Sequence, residues 1–310
     1  MKDKIVIASR GSKLALVQAN HIKTELEKSF KQTVFEILIV KTTGDIINDV
    51  PLSKIPDKGM FIKEIEEALL NGSADLAVHS MKDVPVDLAG ALLLGAITKR
   101  EDNHDILISK TCGKLAELKK GAVIGTSSLR RIAQLKHFRM DLQIKDLRGN
   151  LDTRIKKLES GAYDGIILAL AGIRRLGLES LVSEIIPYEI ILPSVGQGAL
   201  GIELRKGDEE IKAICAVLND NISAAAVLCE RALLKELGGG CQVPVGANAG
   251  VYGNKLVIEA SVTSPDGKVS IKDKEEGLVE DSAALGQKLA QKLIRQNAKK
   301  IIENKAEKKP

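Results

Sequence analysis

The sequence predicts an α/β protein with a smaller α+β domain at its C-terminus. Short runs rich in Val and Ile alternate with segments of helical apolar spacing, from IVIAS at residues 5–9 to DGIILAL at 164–170. This alternation is typical of parallel or mixed sheets with helices on their faces. After about residue 220 the pattern changes to a helix, a Gly-Gly-Gly-Cys loop, two strand patterns and a last helix, which indicates a separate α+β domain.

Each element has its own signal in this pattern. The first helix is predicted over Ser12–Ser29, where Leu14, Val17, Ile22 and Leu26 recur near helical spacing. Further helices are predicted over Met60–Asn71, Ser128–Arg139, Asn150–Ser160, about Asp208–Leu218, about Ser223–Leu237 and after Asp281. Further strands are predicted at VFEILIV, ADLAVHS, LLLGAI, DILIS, AVIGTS, LQIKDL, in SVGQGALGIEL after Pro193, and around Lys255–Val262 and Lys268–Lys272.

Length and composition indicate a folded chain of more than one domain. At 310 residues the chain exceeds the roughly 250 to 300 residues at which a single core stops growing. The net charge of +5 suits nucleic acid, acidic lipid or an anionic small molecule, so the arginine positions decide the partner class. Aromatic residues are 2% of the chain and Trp is absent, which disfavours nucleic acid because stacking platforms are scarce.

The N-terminus and the apolar runs indicate where in the cell the protein is expected. MKDKIVIASR, at residues 1–10, shows neither a signal h-region nor a cleavage site. The longest apolar run, around Ile166–Ala171, falls far short of the roughly 20 residues that span a bilayer. We therefore expect a cytoplasmic protein with no membrane partner.

Arginine and hydroxyl side chains are concentrated where predicted strands end and helices begin. The four motifs are ASRGS at residues 8–12, GTSSLRR at 125–131, LRGNLDTR at 147–154 and AGIRR at 171–175. Helix N-termini attract anions, and arginine makes forked bonds to carboxylate or phosphate. The four motifs together favour an anion cleft between two lobes, although each arginine alone could be a solvated charge and each serine a plain cap.

A short turn provides a candidate acid. VHSMKDVP, at residues 78–85, follows a predicted strand and places Asp83 among cations at the strand end. The alternative interpretation is an ordinary surface pair with Lys82, which contributes little to stability.

The four cysteines differ in context. They form no CxxC pair and have no nearby His at metal-ligand spacing, so neither a metal site nor a disulfide is expected. GGGCQVP, at residues 238–244, places Cys241 on a loop whose glycines allow close approach, which makes it a candidate for covalent attachment when thiolate is available. Cys112, Cys215 and Cys229 lie within strand or helix patterns and are predicted to be inert apolar side chains.

Taken as a set, these motifs resemble the porphobilinogen deaminase family, also called hydroxymethylbilane synthases. The resemblance runs nearly end to end, and GTSSLRR, HSMKDVP and GGCQVP are specific in this order and spacing. The segments that carry it are ASRGSKLALVQA, KGMFIKEIE, ADLAVHSMKDVP, GAVIGTSSLRR, LRGNLDTR, YDGIILALAGIRRLGL, LPSVGQGALGIE and GGGCQVPVG.

The resemblance implies a three-domain architecture. Two lobes are expected to resemble type II periplasmic binding proteins, formed by residues 1–98 with 199–219 and by residues 105–193. A third, α+β domain over residues 221–310 is expected to carry the cofactor. The chain would cross between the lobes near Thr98–Asp105 and Ser194–Gly198.

The resemblance also implies the chemistry. The chain is expected to be a transferase that deaminates four porphobilinogen molecules and joins them head to tail on a covalent dipyrromethane primer, releasing the linear tetrapyrrole hydroxymethylbilane. The primer would be held by a thioether to Cys241. Asp83 matches the catalytic carboxylate, which stabilises the cation left when ammonia departs from the substrate.

The remaining matched positions hold acetate and propionate groups. The cofactor is expected to contact Cys241 together with Lys82, Thr126, Ser127, Ser128, Arg130, Arg131 and Arg154. The substrate is expected to contact Arg10, Ser12, Arg148, Arg154 and Arg175. No metal is implied, porphobilinogen is the expected small-molecule partner, and a monomer is expected.

Three places depart from the family pattern. KIPDKGMF, at residues 54–61, stands where a Gly-Gly-Lys-Gly run is more usual, so Pro56 and Asp57 are expected to stiffen the Pro51–Gly59 loop. Gly238 stands where Glu is common, and His104 where Arg is common.

Two other functions fit parts of the sequence. A non-catalytic anion-binding protein of the periplasmic-receptor type would share the two-lobed fold, but the absence of a signal peptide and the separate domain with Cys241 disfavour it. A transcription-factor effector domain is disfavoured because the sequence contains no recognisable DNA-binding segment.

Overall fold

Two five-stranded mixed sheets and one three-stranded antiparallel sheet organise the part of the chain that the computed structural model describes, residues 2–46, 62–239 and 243–303. The strands are β1 Lys4–Arg10, β2 Val34–Val40, β3 Leu76–Ser80, β4 Leu92–Ile97, β5 Asp105–Ser109, β6 Val123–Gly125, β7 Gln143–Lys145, β8 Gly165–Ala169, β9 Glu184–Ile185, β10 Leu200–Arg205, β11 Val245–Tyr252, β12 Lys255–Thr263 and β13 Ser270–Leu278.

Helices cover the sheets and connect their strands. They are α1 Lys13–Ser29, α2 Thr43–Ile46, α3 Lys63–Leu70, α4 Leu129–Phe138, α5 Leu151–Glu159, α6 Leu170–Arg175, α7 Glu209–Cys215, α8 Asn221–Glu236, α9 Ser282–Arg295 and α10 Ala298–Glu303. The predicted α/β class, with a smaller α+β part at the C-terminal end, is confirmed.

The first sheet has the strand order β2-β1-β3-β10-β4. Strands β2, β1 and β3 are parallel, and β10 is antiparallel to both of its neighbours. Its core contains Ile5, Ile7, Phe35 and Ile202, all at most 2% exposed. Because β1 and β3 are parallel neighbours, the residues that follow them lie at the same edge of the sheet.

The second sheet repeats this arrangement with different strands. Its order is β7-β6-β8-β5-β9, in which β7, β6 and β8 are parallel and β5 is antiparallel to β8 and β9. Ile106, Leu107 and Ile167 are fully buried in its two faces. The loops after β6 and β7 therefore meet at one edge.

The three-stranded sheet is a meander of β11, β12 and β13. Helix α9 packs on it through Leu285, Leu289 and Leu293, which recur at helical spacing and are buried. Gly286 allows α9 to approach α8 closely, because a Cβ there would lie 2.1 Å from the carbonyl oxygen of Cys229.

The chain divides into two compact units. The first comprises residues 1–101 and 198–224 and contains the first sheet, and the second comprises residues 102–197 and 225–310 and contains the other two sheets. Within the second unit the meander is joined to the second sheet's neighbourhood, for example by the hydrogen bond from the Ala247 amide to the Pro193 carbonyl at 2.9 Å. The three-domain division stays a prediction.

Several local predictions were wrong. Strand β11 was missed because its sequence, VGANAGVY, lacks a run of β-branched residues and is held by pairing with β12. Cys112 lies in the loop after β5, half-buried, and not within a strand or helix. The AGIRR motif does not end a strand, because β8 ends at Ala169 and all five residues lie within α6.

No single helix in the described ranges is long and apolar enough to cross a membrane. The consecutive helical segments Glu209–Leu218 and Asn221–Glu236 meet the length and composition criteria only as a bent pair.

Candidate functional site

Two strand ends of the first unit carry predicted site residues. Arg10 is the last residue of β1, and Ser12 is the N-cap of α1, where its Oγ accepts a hydrogen bond from the Ala15 amide at 3.3 Å. Lys82 and Asp83 follow β3, the parallel neighbour of β1. All four predicted residues therefore lie at the carboxyl-end edge of this sheet.

Asp83 is presented by a rigid turn. Residues Met81–Asp83 form one turn of 3₁₀ helix, and the Met81 amide donates to the Ala199 carbonyl at 3.0 Å. The Met81 side chain is buried beneath the turn, whereas Asp83 is exposed and Lys82 is half-buried. The fold thus fixes the backbone of Asp83 and leaves its carboxylate accessible.

A buried acid-base pair lies in the strands behind this turn. His79 Nε2 is 2.9 Å from Glu203 Oε2, and both side chains are at most 5% exposed. Burial raises the pKa of the neighbouring Glu66 carboxyl, and the charge of Glu203 raises it further, while His79 opposes the change. Glu203 Oε1 is buried and makes no hydrogen bond within the described residues.

In the second unit, the hydroxyls of Thr126, Ser127 and Ser128 organise the loop between β6 and α4. Ser127 Oγ donates to the Leu147 carbonyl at 2.8 Å and accepts from the Leu147 amide at 3.1 Å. Thr126 Oγ1 accepts from the Ser128 amide at 3.3 Å, and Ser128 caps α4. Ser127 therefore ties this loop to the one that follows β7.

Arg130 and Arg131 begin α4 and are both buried, at 4% and 5% exposed. Arg130 Nη1 donates to Asp105 Oδ2 at 2.7 Å and to the Leu192 carbonyl at 2.6 Å. Arg131 Nη2 donates to Asp105 Oδ1 at 2.6 Å, and its Nη1 donates to the Ile167 carbonyl at 2.9 Å. The two arginines thus share one fully buried carboxylate.

Arg130, Arg131 and Asp105 form a buried cluster whose positive and negative charges do not cancel. Burial alone would raise the pKa of Asp105, but the charges and hydrogen bonds of Arg130 and Arg131 hold it well below its usual range. Burial lowers the pKa of Arg130, and Asp105 opposes that change. Two guanidinium groups against one carboxylate leave one positive charge, and Arg131 Nε is buried and makes no hydrogen bond within the described residues.

Arg148 and Arg154 lie on the neighbouring loop, between β7 and α5, and in the first turn of α5. Arg154 Nε donates to the Gly149 carbonyl at 2.8 Å, and Arg148 Nε lies 3.6 Å from Asp146 Oδ2. Gly149 has a φ of +105°, and a Cβ there would lie 2.7 Å from the Thr153 side chain. The turn that supports Arg154 therefore requires glycine.

Arg175 is placed differently from the other predicted residues. It is the last residue of α6, at the C-terminal end of the helix, so neither a strand end nor a helix N-terminus presents it. Its half-buried side chain has partners of its own. Arg174, its neighbour, lies 3.7 Å from Asp102.

His104, the position where arginine is more common, takes part in a local cluster. Its Nδ1 lies 2.6 Å from Asp102 Oδ1, and its ring stacks on Tyr188 with centroids 3.8 Å apart. Tyr188 in turn donates a hydrogen bond to the Asn103 side chain.

Cys241, the predicted attachment residue, lies outside the described residues, and so does the predicted Pro51–Gly59 loop. The preceding chain is described up to residue 239. Gly238, with a φ of +70°, closes α8 by donating to the Lys235 carbonyl at 2.9 Å.

Two other cysteines are consistent with an inert role. Cys215 and Cys229 are fully buried, and burial, followed by the charges of Asp208 and Glu230 respectively, raises the pKa of each thiol to about 12. The three cysteines within the described residues, Cys112 included, are free.

Sequence reasoning missed Asp105 and Gln197. Gln197 Nε2 donates to Asp105 Oδ1 at 2.8 Å and to the Asn103 carbonyl at 2.7 Å. The one feature of the sequence that could have identified this cluster is Asp105, an acidic residue at the first position of the apolar strand DILIS. Its partners lie 25 or more residues away, so spacing could not identify them.

Two protein-family models match this chain. A family model described as "Porphobilinogen deaminase, dipyromethane cofactor binding domain" matches residues 5–213. A second, described as "Porphobilinogen deaminase, C-terminal domain", matches residues 224–295.

Curated relatives match over nearly their whole length. A protein named porphobilinogen deaminase from Prochlorococcus marinus subsp. pastoris is 49% identical over 304 residues, 97% of this chain and 96% of its own. Proteins of the same name from Desulforamulus reducens and Chlorobium luteolum are 49% and 47% identical; they cover 98% and 97% of this chain and 98% of their own length in each case.

Two solved structures are similar to part of this chain. A putative methionine-binding lipoprotein from Bacillus subtilis has a TM-score of 0.44 at 16% identity and covers 70% of this chain and 91% of its own. The methionine-binding protein MetQ has a TM-score of 0.43 at 13% identity, with 70% and 90% covered.

Proposed function

This chain belongs to the porphobilinogen deaminase family, and from that premise we propose that it deaminates porphobilinogen and joins four molecules head to tail. The product is the linear tetrapyrrole hydroxymethylbilane, so the chain is a transferase of tetrapyrrole biosynthesis. The structural observation that carries the proposal is the buried arginine pair on α4, which retains one unbalanced positive charge.

The arginine pair fits a cofactor that carries carboxylates. Arg131 Nε is a buried donor that makes no hydrogen bond within the described residues, and a carboxylate oxygen would satisfy it. Thr126, Ser127 and Ser128 immediately precede α4, and Ser128 is its N-cap. We assign Arg130, Arg131, these three hydroxyl residues, Lys82 and Arg154 to the holding of a dipyrromethane. When bound, this group would supply the pyrrole carbon nucleophile to which the first porphobilinogen unit is joined.

Asp83 is the proposed catalytic residue. Loss of ammonia from the aminomethyl group of porphobilinogen leaves a cation, and a carboxylate fixed on a rigid turn stabilises that charge without reorganising. The same carboxylate is accessible enough to move a proton at the substrate. Its role is therefore electrostatic stabilisation together with proton transfer.

The substrate's own acetate and propionate groups need further cations. Arg10, Ser12, Arg148, Arg154 and Arg175 are the residues that we propose for this task. Four of them lie at a strand end or near a helix start, where backbone amides are available to an anion. Arg175, at the end of α6, would act through its charge alone.

We further propose that Cys241 holds the dipyrromethane through a thioether. The support is the sequence motif GGCQVP and the buried, raised-pKa state of Cys215 and Cys229, which makes them poor nucleophiles. The chain is proposed to act as a monomer in the cytoplasm, with porphobilinogen as its small-molecule partner and without nucleic acid or a membrane. These proposals rest on the resemblance of the motifs.

Intact-protein mass spectrometry with peptide mapping tests the proposal. The purified chain, before and after incubation with porphobilinogen, should carry an added mass of two deaminated pyrrole units on the peptide that contains Cys241, and should release ammonia and a linear tetrapyrrole. A chain that acquires no mass and releases no ammonia would instead fit the non-catalytic anion-binding alternative, which the family match does not favour.

A further inference from the structure

The buried cluster of Arg130 and Arg131 includes a residue of β5 for which neither the sequence motifs nor the proposed function assigns a role. Asp105 is fully buried and receives hydrogen bonds from Arg130, Arg131 and Gln197. Its carboxylate therefore has three polar side-chain partners, all in the second unit. Both of its oxygens are already engaged, since Oδ1 accepts from Arg131 and Gln197 and Oδ2 accepts from Arg130.

The hydrogen bonds of Asp105 fix the direction of Arg131. Arg131 Nη2 donates to Asp105 Oδ1, and Arg131 Nη1 donates to the Ile167 carbonyl. The Nε of the same guanidinium is buried and makes no hydrogen bond within the described residues. Arg130 is engaged by Asp105 Oδ2 and the Leu192 carbonyl. Of the two arginines, Arg131 is consequently the one with a free buried donor.

Asp105 also sets the charge of the cluster. Without it, two buried guanidinium groups would lie side by side, and with it one positive charge remains. A buried charge that lacks a counter-charge is costly, so this cluster favours a ligand group that brings one negative charge. A carboxylate brings one, whereas sulfate brings two and would leave an unbalanced negative charge.

We infer that Asp105 sets the net charge of the cluster that it forms with Arg130 and Arg131, and thereby restricts this cluster to one singly charged carboxylate of the bound ligand. The inference rests on the proposed function, in which Arg130 and Arg131 hold acetate or propionate groups. Gln197 supports the arrangement, because it joins Asp105 to the Asn103 carbonyl.

The test compares two anions on full-length variants of known cluster charge. In a Cys241→Ala background, which keeps a covalent group from occupying the site, dissociation constants for propionate and sulfate are measured from the rise in Tm at constant ionic strength. The cluster carries a net charge of plus one in the parent and plus two in Asp105→Asn. Its net charge is zero in Arg130→Gln and plus one in the double variant that combines both substitutions. Far-ultraviolet circular dichroism checks that each variant is folded.

The expected result is a preference that follows the charge. The parent and the double variant bind propionate more tightly than sulfate, Asp105→Asn reverses this order, and Arg130→Gln binds both at least about tenfold more weakly. A purely structural role for Asp105 would lower Tm without changing the ratio of the two dissociation constants. An unchanged ratio in Asp105→Asn, or full binding by Arg130→Gln, would overturn the inference.

The design also covers a variant that fails to fold. If Asp105→Asn is unfolded, the comparison of Arg130→Gln with the double variant decides, since recovery of propionate binding supports the inference and no recovery overturns it. A separate assay of the chain with native Cys241 on porphobilinogen tests the proposed function. An inactive chain whose anion preference follows the charge would refute that function and leave the role of Asp105 intact.

Discussion

Asp105 Oδ1 accepts a hydrogen bond from Arg131 Nη2 at 2.6 Å, and neither side chain is more than 6% exposed. An ion pair this deeply buried is weak evidence for stability by itself, because the desolvation of both charges offsets their attraction. Removing one partner is a different matter, since it leaves the other charge buried without compensation. This asymmetry leads to the first prediction.

Asp105→Asn is expected to lower the free energy of unfolding at pH 7 by about 3 kcal/mol or more. The folded-state pKa of Asp105 lies below its ordinary value of 3.8, so its contribution is fully present above about pH 4 and is lost as pH falls below that value. The variant should therefore lose less stability than the parent between pH 5 and pH 3. Urea unfolding at pH 7, 5, 4 and 3 measures both effects.

Asp3→Asn provides the matched control for this series, because Asp3 is an exposed carboxylate of the same chain. It should retain the parent's unfolding free energy at pH 7 to within about 0.5 kcal/mol. A parallel shift of the whole pH curve for Asp105→Asn would contradict the assigned ionisation.

Asp83→Asn is expected to fold normally and to lose roughly 100-fold or more in kcat, because the charge that stabilises the substrate cation is gone while the turn of Met81–Asp83 remains. The exposed position of Asp83 predicts a change in unfolding free energy within about 0.5 kcal/mol. Ammonia release from porphobilinogen and thermal unfolding are the two measurements.

The control for Asp83 is Glu209→Gln, another exposed carboxylate, on α7 and paired with Lys212 at the surface. It should leave kcat unchanged. Near-normal turnover by Asp83→Asn would remove this residue from the catalytic role.

The strands were predictable where the sequence contains short continuous apolar runs. LLLGAI and DILIS coincide with β4 and β5 because buried strands are continuous apolar runs. Strand β11 was not predictable in this way, since Gly246, Asn248 and Gly250 interrupt its pattern and pairing with β12 overrides local preference.

The site was predictable only in part. Motifs such as GTSSLRR identify Arg130 and Arg131 because they are local in sequence, but the partner Asp105 is 25 and 26 residues away from them. Both arginines bind Asp105, and which of them retains a buried donor without a bond within the described residues depends on tertiary contacts. The position of Arg175 was also not predictable, because the motif AGIRR does not indicate that this residue ends α6.

Glu66→Gln is expected to increase stability near neutral pH. Burial and the charge of Glu203 raise the pKa of Glu66 above its ordinary value of 4.5. The folded state therefore favours the protonated carboxyl, and this group contributes stability below pH 4.5 that is lost as pH rises through the folded-state pKa. Glutamine keeps the shape without the charge. The variant should gain stability over the parent at pH 7, and the gain should vanish near pH 4, as measured by urea unfolding.

Glu67→Gln is the neighbouring control, because Glu67 is exposed on the same helix, α3. Its unfolding free energy at pH 7 should lie within about 0.5 kcal/mol of the parent's. A loss of stability in Glu66→Gln at pH 7 would show that the ionised carboxylate is favoured in the folded state.

Cys241→Ser is expected to retain no covalent primer, since a hydroxyl is a far weaker nucleophile than a thiolate at neutral pH. Intact-protein mass spectrometry after incubation with porphobilinogen measures the added mass. Cys112→Ser, at a half-buried free cysteine, should keep the added mass of the parent. A loaded Cys241→Ser chain would contradict attachment at this residue.

Gly149→Ala tests whether the turn before α5 supports Arg154. The φ of +105° disfavours a Cβ, and that Cβ would also lie 2.7 Å from the Thr153 side chain, so we expect a loss of about 1 to 3 kcal/mol in unfolding free energy. Gly161→Ala is the matched control, since Gly161 has a φ of +80° but a Cβ there would meet no atom within 4 Å, and its substitution should cost only about 1 kcal/mol. Because Arg154 Nε donates to the Gly149 carbonyl, Gly149→Ala should also raise KM for porphobilinogen, while Gly161→Ala should not. Equal KM values for the two variants would mean that the turn does not position Arg154 for the substrate.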